Sequence, residues 1–483
     1  MTVASITLEP PFVRELNPVP DIGAALHRVA RLNDPLLMES SLRSDQRGRY
    51  SFLMAEPRRT FRIAEPVYGT NPFSEVRAYL ETRTATRDST LPPFQGGAAG
   101  LLSYELGGSF ERLPREQSPS FHLPAAVIHI YDWLLAWDHL TGKCWFLGRP
   151  LPRDSGDVCD VSPDERFRMV CSLLAESPRP ARSTTSPRGE DDLELPRCPL
   201  PGHDGVFSNF DRENYEAAVQ RVVDYICAGD LFQANLSQVL YQRAPCDPLS
   251  LYLHLREQNP APFSAYFGGD EWAVLSSSPE RFLQVEGRTV WTRPIKGTRQ
   301  RRRTPEADLY TRDELRESGK DHAENVMIVD LLRNDLSRVC RPGSIRVPEL
   351  CSVESYETVT HLVSEVVGEL EPDKDFWDTL AATFPGGSIT GAPKIRAMEV
   401  IRELERVDRG PYCGSLFYCG FDGTADSSIL IRTLTQHRGW VRFPVGGGII
   451  ARSNPRDEYE ETLHKAAGML RALRACSEDS ARD

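Results

Sequence analysis

Apolar residues recur at Tyr215, Val219, Val222 and Ile226, with Asp211 ahead of them and Gly229 behind. Steps of four, three and four residues predict an amphipathic helix with an amino-terminal cap and a glycine stop. The next segment, 231–240, predicts a strand. Runs 282–285 and 288–292, rich in β-branched and aromatic residues, flank Glu286-Gly287 and predict a hairpin. Pairing Val285 with Arg288 sets Glu280 beside Arg293, three residues short of Lys296. At about 3.3 Å per residue, Glu280 and Lys296 are then about 10 Å apart along the backbone. Pro279 and Pro294 cannot donate ladder bonds and are expected to end the pairing. A long helical pattern follows over 313–339, and 440–445 predicts a strand running into Gly446-Gly447-Gly448. Asn454-Pro455 supplies a cap and a first-turn proline for a helix over 456–473.

The first part of the chain reads mainly as strands, with sparse helical signal. Segment 127–138 predicts one strand that turns at 140–143 and returns over 144–147. Between 153 and 204, Pro178, Pro180, Pro187, Pro196, Pro199 and Pro201 stand among Ser, Arg, Glu and Asp. Such a segment buries too little apolar surface to offset its ordering entropy, so its centre is expected to be a linker, with a short helix over 167–174. The organisation predicted is an amino-terminal region 1–152, a linker 153–206, a catalytic region 207–478 and a tail 479–483.

Length and charge narrow the class. A chain of 483 residues can bury a large core, and a net charge of −12 disfavours general binding to nucleic acid or anionic membranes. Eleven cysteines without CxxC spacing suit reduced thiols and a cytoplasmic location. No apolar run approaches the roughly 18 residues of a spanning helix, and the first 21 residues lack a secretory pattern.

Several groupings could carry chemistry. Lys296, between Pro294 and Gly297 at the open end of the hairpin, is the candidate nucleophile. Glu317, Asp321 and Glu324 fall on one face of a single predicted helix, and Asp457, Glu458 and Glu461 precede Lys465 on another. Each set reads as a solvated face when alone. Two such helices facing one another offer hard oxygen ligands to Mg²⁺. The loop 385–394 enters a helix and is either an anion cradle or a plain helix start. Gly446 to Gly448 either expose backbone donors or mark a bulge. Arg299, Arg301, Arg302 and Arg303 read as a solvated charged loop rather than a nucleic-acid site.

Taken together, motifs 294–298, 324–335, 361–364, 388–394 and 457–462 resemble the chorismate-utilising enzymes, and 36–40, 48–52 and 100–110 resemble that family's amino-terminal half. The resemblance covers nearly the whole chain. It implies an α+β fold in which two packed, mostly antiparallel β-sheets, flanked by helices, form one composite sandwich from both chain halves. Lys296 resembles the aminodeoxychorismate-forming branch, where that position is usually lysine; the anthranilate-forming branch usually has alanine there. Gln233 stands where isochorismate and salicylate synthases carry a water-activating lysine, and an amide cannot act as that base. The resemblance further implies Mg²⁺ held by Glu324 and Glu461, with Asp321 and Glu458 acting through metal-bound waters and Lys465 near the ring carboxylate of chorismate. Tyr412, Arg432 and the Gly448 backbone are implied to hold the enolpyruvyl carboxylate, a task suited to a guanidinium. Gly297, Thr298 and Gln233 are implied to line the ring site, and His361 matches an active-site histidine. Glu280 is the implied acid that protonates the departing C4 hydroxyl while Lys296 attacks C2 as a neutral amine. Such an acid must stay protonated at neutral pH. No glutamine-hydrolysing module is legible, so a separate glutaminase subunit is expected to supply ammonia. The alternative is the anthranilate route, amination at C2 with loss of pyruvate.

Overall fold

The computed structural model describes residues 5–42, 48–114, 121, 123–154, 156–157, 161–176, 195–301, 312–355 and 359–480. Apolar residues of two large sheets meet face to face. Leu36, Phe52, Met54, Leu134, Phe267 and Val274 of a 13-stranded sheet pack against Ala99, Leu101, Val127, Leu416 and Tyr418 of a 10-stranded sheet. Each fully buried Leu or Phe here contributes about 1.5–3 kcal/mol, so this layer alone is a substantial core. The outer face of the first sheet is covered by helices Ile22–Val29, Pro248–Gln258 and Pro455–Ser480, and that of the second by Ser74–Glu81, Gly319–Leu336 and Phe376–Thr383.

Both chain halves build both sheets. Phe263–Gly268 pairs with Leu36–Glu39 in the first, and Ser415–Gly420 pairs with Gly97–Leu102 in the second. The main ladders are antiparallel. This is the α+β composite sandwich expected from the sequence. Among the described residues, no helix is long and apolar enough to cross a membrane.

The caps fall where side-chain chemistry puts them. Asp211 accepts from Asn214 N at 2.7 Å and starts helix Arg212–Cys227, while Asn454 accepts from Arg456 N at 3.0 Å and starts Pro455–Ser480. The last helix is longer than the predicted 456–473. Ser162 caps Pro163–Ala175, which contains the predicted 167–174. The central linker residues 177–194 lie outside the described residues.

Four expectations are corrected. The hairpin register is Val285 opposite Val290, with Gly287-Arg288 as the turn, because Gly287 takes the left-handed conformation (φ +57°) at the first central position. Continued along the strands, this register sets Glu280 level with Ile295 rather than Arg293, adjacent to Lys296. Segment 127–138 is two strands, not one: Ala126–Tyr131 belongs to the second sheet and Trp133–Asp138 to the first. The chain changes sheets at Asp132, whose carboxylate lies 3.6 Å from buried Arg58 and whose carbonyl accepts from Arg149 N at 2.6 Å. The helical pattern over 313–339 breaks at Ser318, whose hydroxyl accepts from Asp321 N at 3.3 Å and opens a new helix, Gly319–Leu336. Glu317 belongs to the preceding short helix, 312–317, and so does not share one helical face with Asp321 and Glu324. Finally, Cys246 and Cys476 form a disulfide, against the expectation of reduced thiols throughout; eight other cysteines among the described residues are free.

Candidate active site

Lys296 lies on strand Ile295–Gln300, which runs end to end with Thr289–Thr292 along the edge of Val359–Glu369. The two segments keep one register, Thr292 opposite Val366 and Ile295 opposite Val363, and Arg293-Pro294 interrupts them. After Lys296 the register slips by one residue at Gly297, a bulge at φ +67°. A Cβ there would meet Leu315 Cδ1 at 2.8 Å and Asp321 Cγ at 3.0 Å. Gly297→Ala is therefore expected to cost about 1–2 kcal/mol from the backbone alone, with the contacts adding to it. A guanidinium chloride melt showing unchanged stability would refute this.

Glu280 precedes Arg281–Glu286 and is 4 % exposed. Its amide donates to Ser278 Oγ at 3.2 Å and its carbonyl accepts from Ile429 N at 3.1 Å, so the backbone is pinned on both sides. Ser388 joins the acid to the lysine: its hydroxyl donates to Glu280 Oε1 at 2.8 Å, and its carbonyl accepts from Lys296 Nζ at 3.2 Å. Burial pushes the Glu280 carboxyl up to about 7, although the Ser388 hydroxyl, Lys296, the Ile295 amide and Arg432 each pull it down. Burial lowers Arg432 from its ordinary value, with Glu280 opposing that shift. The result is a carboxyl whose proton is lost only near neutral pH, well above the ordinary carboxylate range, next to an amine.

His361 is buried opposite Thr298 on one side and Glu354 on the other. The Thr298 side chain lies outside the described residues, so only its backbone is placed. Asn325 donates to Leu362 O at 3.5 Å and accepts from Ser364 Oγ, tying the helix of Glu324 to the strand that pairs with Lys296. Tyr412 is buried, and burial raises its phenol well above the ordinary value.

A second wall is formed by Gln233–Arg243 and Trp440–Ile449, paired in an unbroken register. Gly446, Gly447 and Gly448 are thus ladder residues, not a bulge. A Cβ on Gly448 would lie 2.3 Å from Gln233 Nε2, and one on Gly447 would lie 3.4 Å from Glu458, 3.5 Å from Lys465 Nζ and 3.6 Å from Glu461. Among the described residues, both amide atoms of fully buried Gln233, and Nδ2 of buried Asn235, have no protein partner. Buried polar atoms left this way are costly, and a polar ligand would satisfy them. Gly448→Ala is expected to raise the KM for substrate by pushing Gln233 aside; an unchanged KM would argue against a site on this wall.

The carboxylates are split between elements. Glu458 accepts from Ser453 Oγ at 2.6 Å, and Glu461 pairs with Lys465 at 2.7 Å while Lys465 also donates to Gly446 O at 2.9 Å. Asp321 pairs with Arg299 at 3.0 Å. Arg299, which also lies 3.4 Å from Glu314, is thus an ion-paired residue and not part of a solvated loop; Arg302 and Arg303 lie outside the described residues. Among the described residues, no three His, Cys, Asp or Glu side chains gather as a metal site. Glu458 and Glu461 approach one another beside Gly447, and hard carboxylate oxygens of this kind suit Mg²⁺, which takes one or two carboxylates and keeps waters. The 385–394 loop enters helix Lys394–Glu405, the helix start expected. Ser388 hydrogen-bonds Glu280 and Lys296, and Lys394 donates to Asp335 at 2.6 Å and Thr383 O at 2.7 Å.

The chain belongs to the chorismate-binding enzyme family, whose model matches residues 37–471. Within that family it is 38 % identical to aminodeoxychorismate synthase component 1 of Klebsiella aerogenes over 91 % of this chain and 93 % of the relative. It is 39 % identical to anthranilate synthase component 1 of Streptomyces coelicolor, over 91 % and 83 % respectively. The crystal structure of anthranilate synthase component I from Streptococcus pneumoniae superposes with a TM-score of 0.72 at 28 % identity, covering 89 % of this chain and 93 % of that one. The menaquinone-specific isochorismate synthase of Escherichia coli shares the fold at a TM-score of 0.69 and 17 % identity, covering 98 % and 97 %.

Sequence reasoning did not single out Ser388 or Asn325, although both fall within the motifs 388–394 and 324–335; their contacts join segments far apart in the chain.

Proposed function

We propose that the chain aminates chorismate at C4, making 4-amino-4-deoxychorismate from chorismate and ammonia, in the route to p-aminobenzoate and folate. The observation that supports this reading is the Glu280–Ser388–Lys296 arrangement, a buried carboxyl that burial pushes up to about 7 and a primary amine bridged by one serine. The neutral Lys296 amine attacks C2 of the ring. The ring double bonds shift and the C4–O bond breaks, with Glu280 giving its proton so that water departs. Lys296 is then bonded to carbon and Glu280 is a carboxylate. Ammonia next attacks C4, the double bonds shift back, the C2–N bond to Lys296 breaks, and the surplus proton returns to Glu280. Each displacement is easier than direct exchange of hydroxyl for amine.

Arg432, Tyr412 and the Gly448 backbone hold the enolpyruvyl carboxylate in this reading, and Gly297, Thr298, Gln233 and His361 line the ring site. Lys465 adds positive charge near the ring carboxylate. Mg²⁺, held by Glu324 and Glu461, supplies the counter-charge for that carboxylate. Chelation is expected to abolish turnover and added Mg²⁺ to restore it. A separate glutaminase subunit supplies ammonia, as the component 1 naming of the relatives suggests, and free ammonium substitutes for it. A cytoplasmic location is part of the proposal and rests on the acidic composition.

The second reading is anthranilate formation, favoured by relatives of that name at the same level of identity. Chromatography and mass spectrometry of products from chorismate, Mg²⁺ and ammonium decide between them. Accumulation of 4-amino-4-deoxychorismate without pyruvate is the expected result, and anthranilate with pyruvate overturns it.

A further inference from the structure

Arg409 is 2 % exposed and makes four hydrogen bonds to three separate segments. Nε and Nη2 donate to Glu405 at 2.9 and 2.6 Å, Nη1 to Ile389 O at 2.9 Å, and Nη2 also to Asn235 O at 2.6 Å. The guanidinium therefore spans both walls of the site. Ile389 follows Ser388, the residue that bridges Glu280 and Lys296. Asn235 pairs with Gly448 on the opposite wall, two residues from Gln233.

The backbone of Arg409 is itself held from the amino-terminal half. Glu105 accepts from Arg409 N at 2.8 Å and Gly410 N at 3.0 Å, and Tyr104 N donates back to Gly410 O at 2.8 Å. The Tyr104 ring lies 4.7 Å from the guanidinium. A path of direct contacts thus runs from Glu105 through Arg409 and Ile389 to Ser388.

We propose that Arg409, fixed in place by Glu105, is a positioning residue that sets the distance between Glu280 and Lys296 through Ser388. A buried ion pair with Glu405 alone would need no carbonyl partners, and apolar residues often replace such pairs without loss. Four donors aimed at fixed backbone and carboxylate oxygens are instead what a planar guanidinium does and an ammonium cannot. The inference rests on reading Glu280 as the acid and Lys296 as the nucleophile.

The test is a double-mutant cycle on the full chain, with kcat, the KM for chorismate and adduct formation read for Arg409→Lys, Ser388→Ala and the double variant. Arg409→Lys is expected to lower kcat about ten- to hundredfold, the scale of a small misplacement at a reacting centre, with KM within about twofold. In the Ser388→Ala background the same change is expected to cost at least about threefold less than in wild type, because the hydroxyl contact to Glu280 is already gone while the carbonyl contact to Lys296 remains. Glu105→Gln, which turns an N–H towards one of the two amides, is expected to lower kcat in the same sense. It carries the test if Arg409→Lys does not fold. Equal losses in both backgrounds, or a raised KM with unchanged kcat, overturn the positioning role while leaving the proposed reaction intact. Failure of the wild-type chain to form an adduct overturns both.

Discussion

Lys296→Ala is expected to abolish the covalent adduct and to reduce C4 amination by about 10²- to 10⁴-fold, the range that a positioned catalytic group commands. The measurement is intact-protein mass spectrometry after quenching with chorismate in the absence of ammonium. Wild-type chain should gain the mass of chorismate less water, and the variant should gain nothing. Among the described residues, the side chain of Lys296 donates to Ser388 O, so its loss removes a contact worth about 1–3 kcal/mol and leaves the strand register intact. Chorismate affinity should stay within a few-fold, because the groups proposed to hold the two carboxylates lie on other elements. The identity of the product tests the lysine a second way. Residual turnover to anthranilate and pyruvate would mean that Lys296 selects C4 over C2. Full aminodeoxychorismate formation by the variant, with no adduct in wild type, would remove the nucleophile from the mechanism.

Local patterns were legible where one residue sets local geometry. Asp211 and Asn454 name their helix starts because a short polar side chain caps free amides in any context. Adjacency of Glu280 and Lys296 was also legible, though through a register two residues off. The sequence shows that Gly287 belongs to the turn but not which central position it takes. The break at Ser318 was hidden because the apolar pattern continues through it, and only the Ser318 hydroxyl marks the new start. The sheet change at Asp132 was hidden for the same reason, since 127–138 has uniform strand character and the decisive partners, Arg58 and Arg149, come from other elements. The proposed site divides along the same line. The family resemblance pointed to Lys296, Glu280, Gln233 and the carboxylates, whereas the contacts of Ser388 and Arg409 span long sequence separations, which leave no periodic trace.

Glu280→Gln is expected to lower the rate of adduct formation by about 10²- to 10⁴-fold with little change in chorismate affinity, since the amide keeps the shape of the carboxyl but has no acidic proton to give. The pH dependence carries the finer prediction. Burial pushes Glu280 up to about 7, and the form needed is the protonated acid. The group is therefore competent below about 7, and activity falls as pH rises through that value. Reading adduct formation without ammonium keeps the ammonia equilibrium out of the profile. Glu280→Gln should flatten the alkaline limb. Ser388→Ala should move it to higher pH, because the Ser388 hydroxyl is the strongest of the influences that lower Glu280. Glu105, pushed up to about 7 by burial and then by Asp408, titrates in the same range and needs to be told apart. Its carboxylate faces the Arg409 and Gly410 amides and not the acid, so Glu105→Gln should reduce the height of the profile and leave the midpoint of the alkaline limb in place. A limb that survives Glu280→Gln and vanishes with Glu105→Gln would transfer the titration to Glu105 and leave the proton donor to be sought elsewhere in the site.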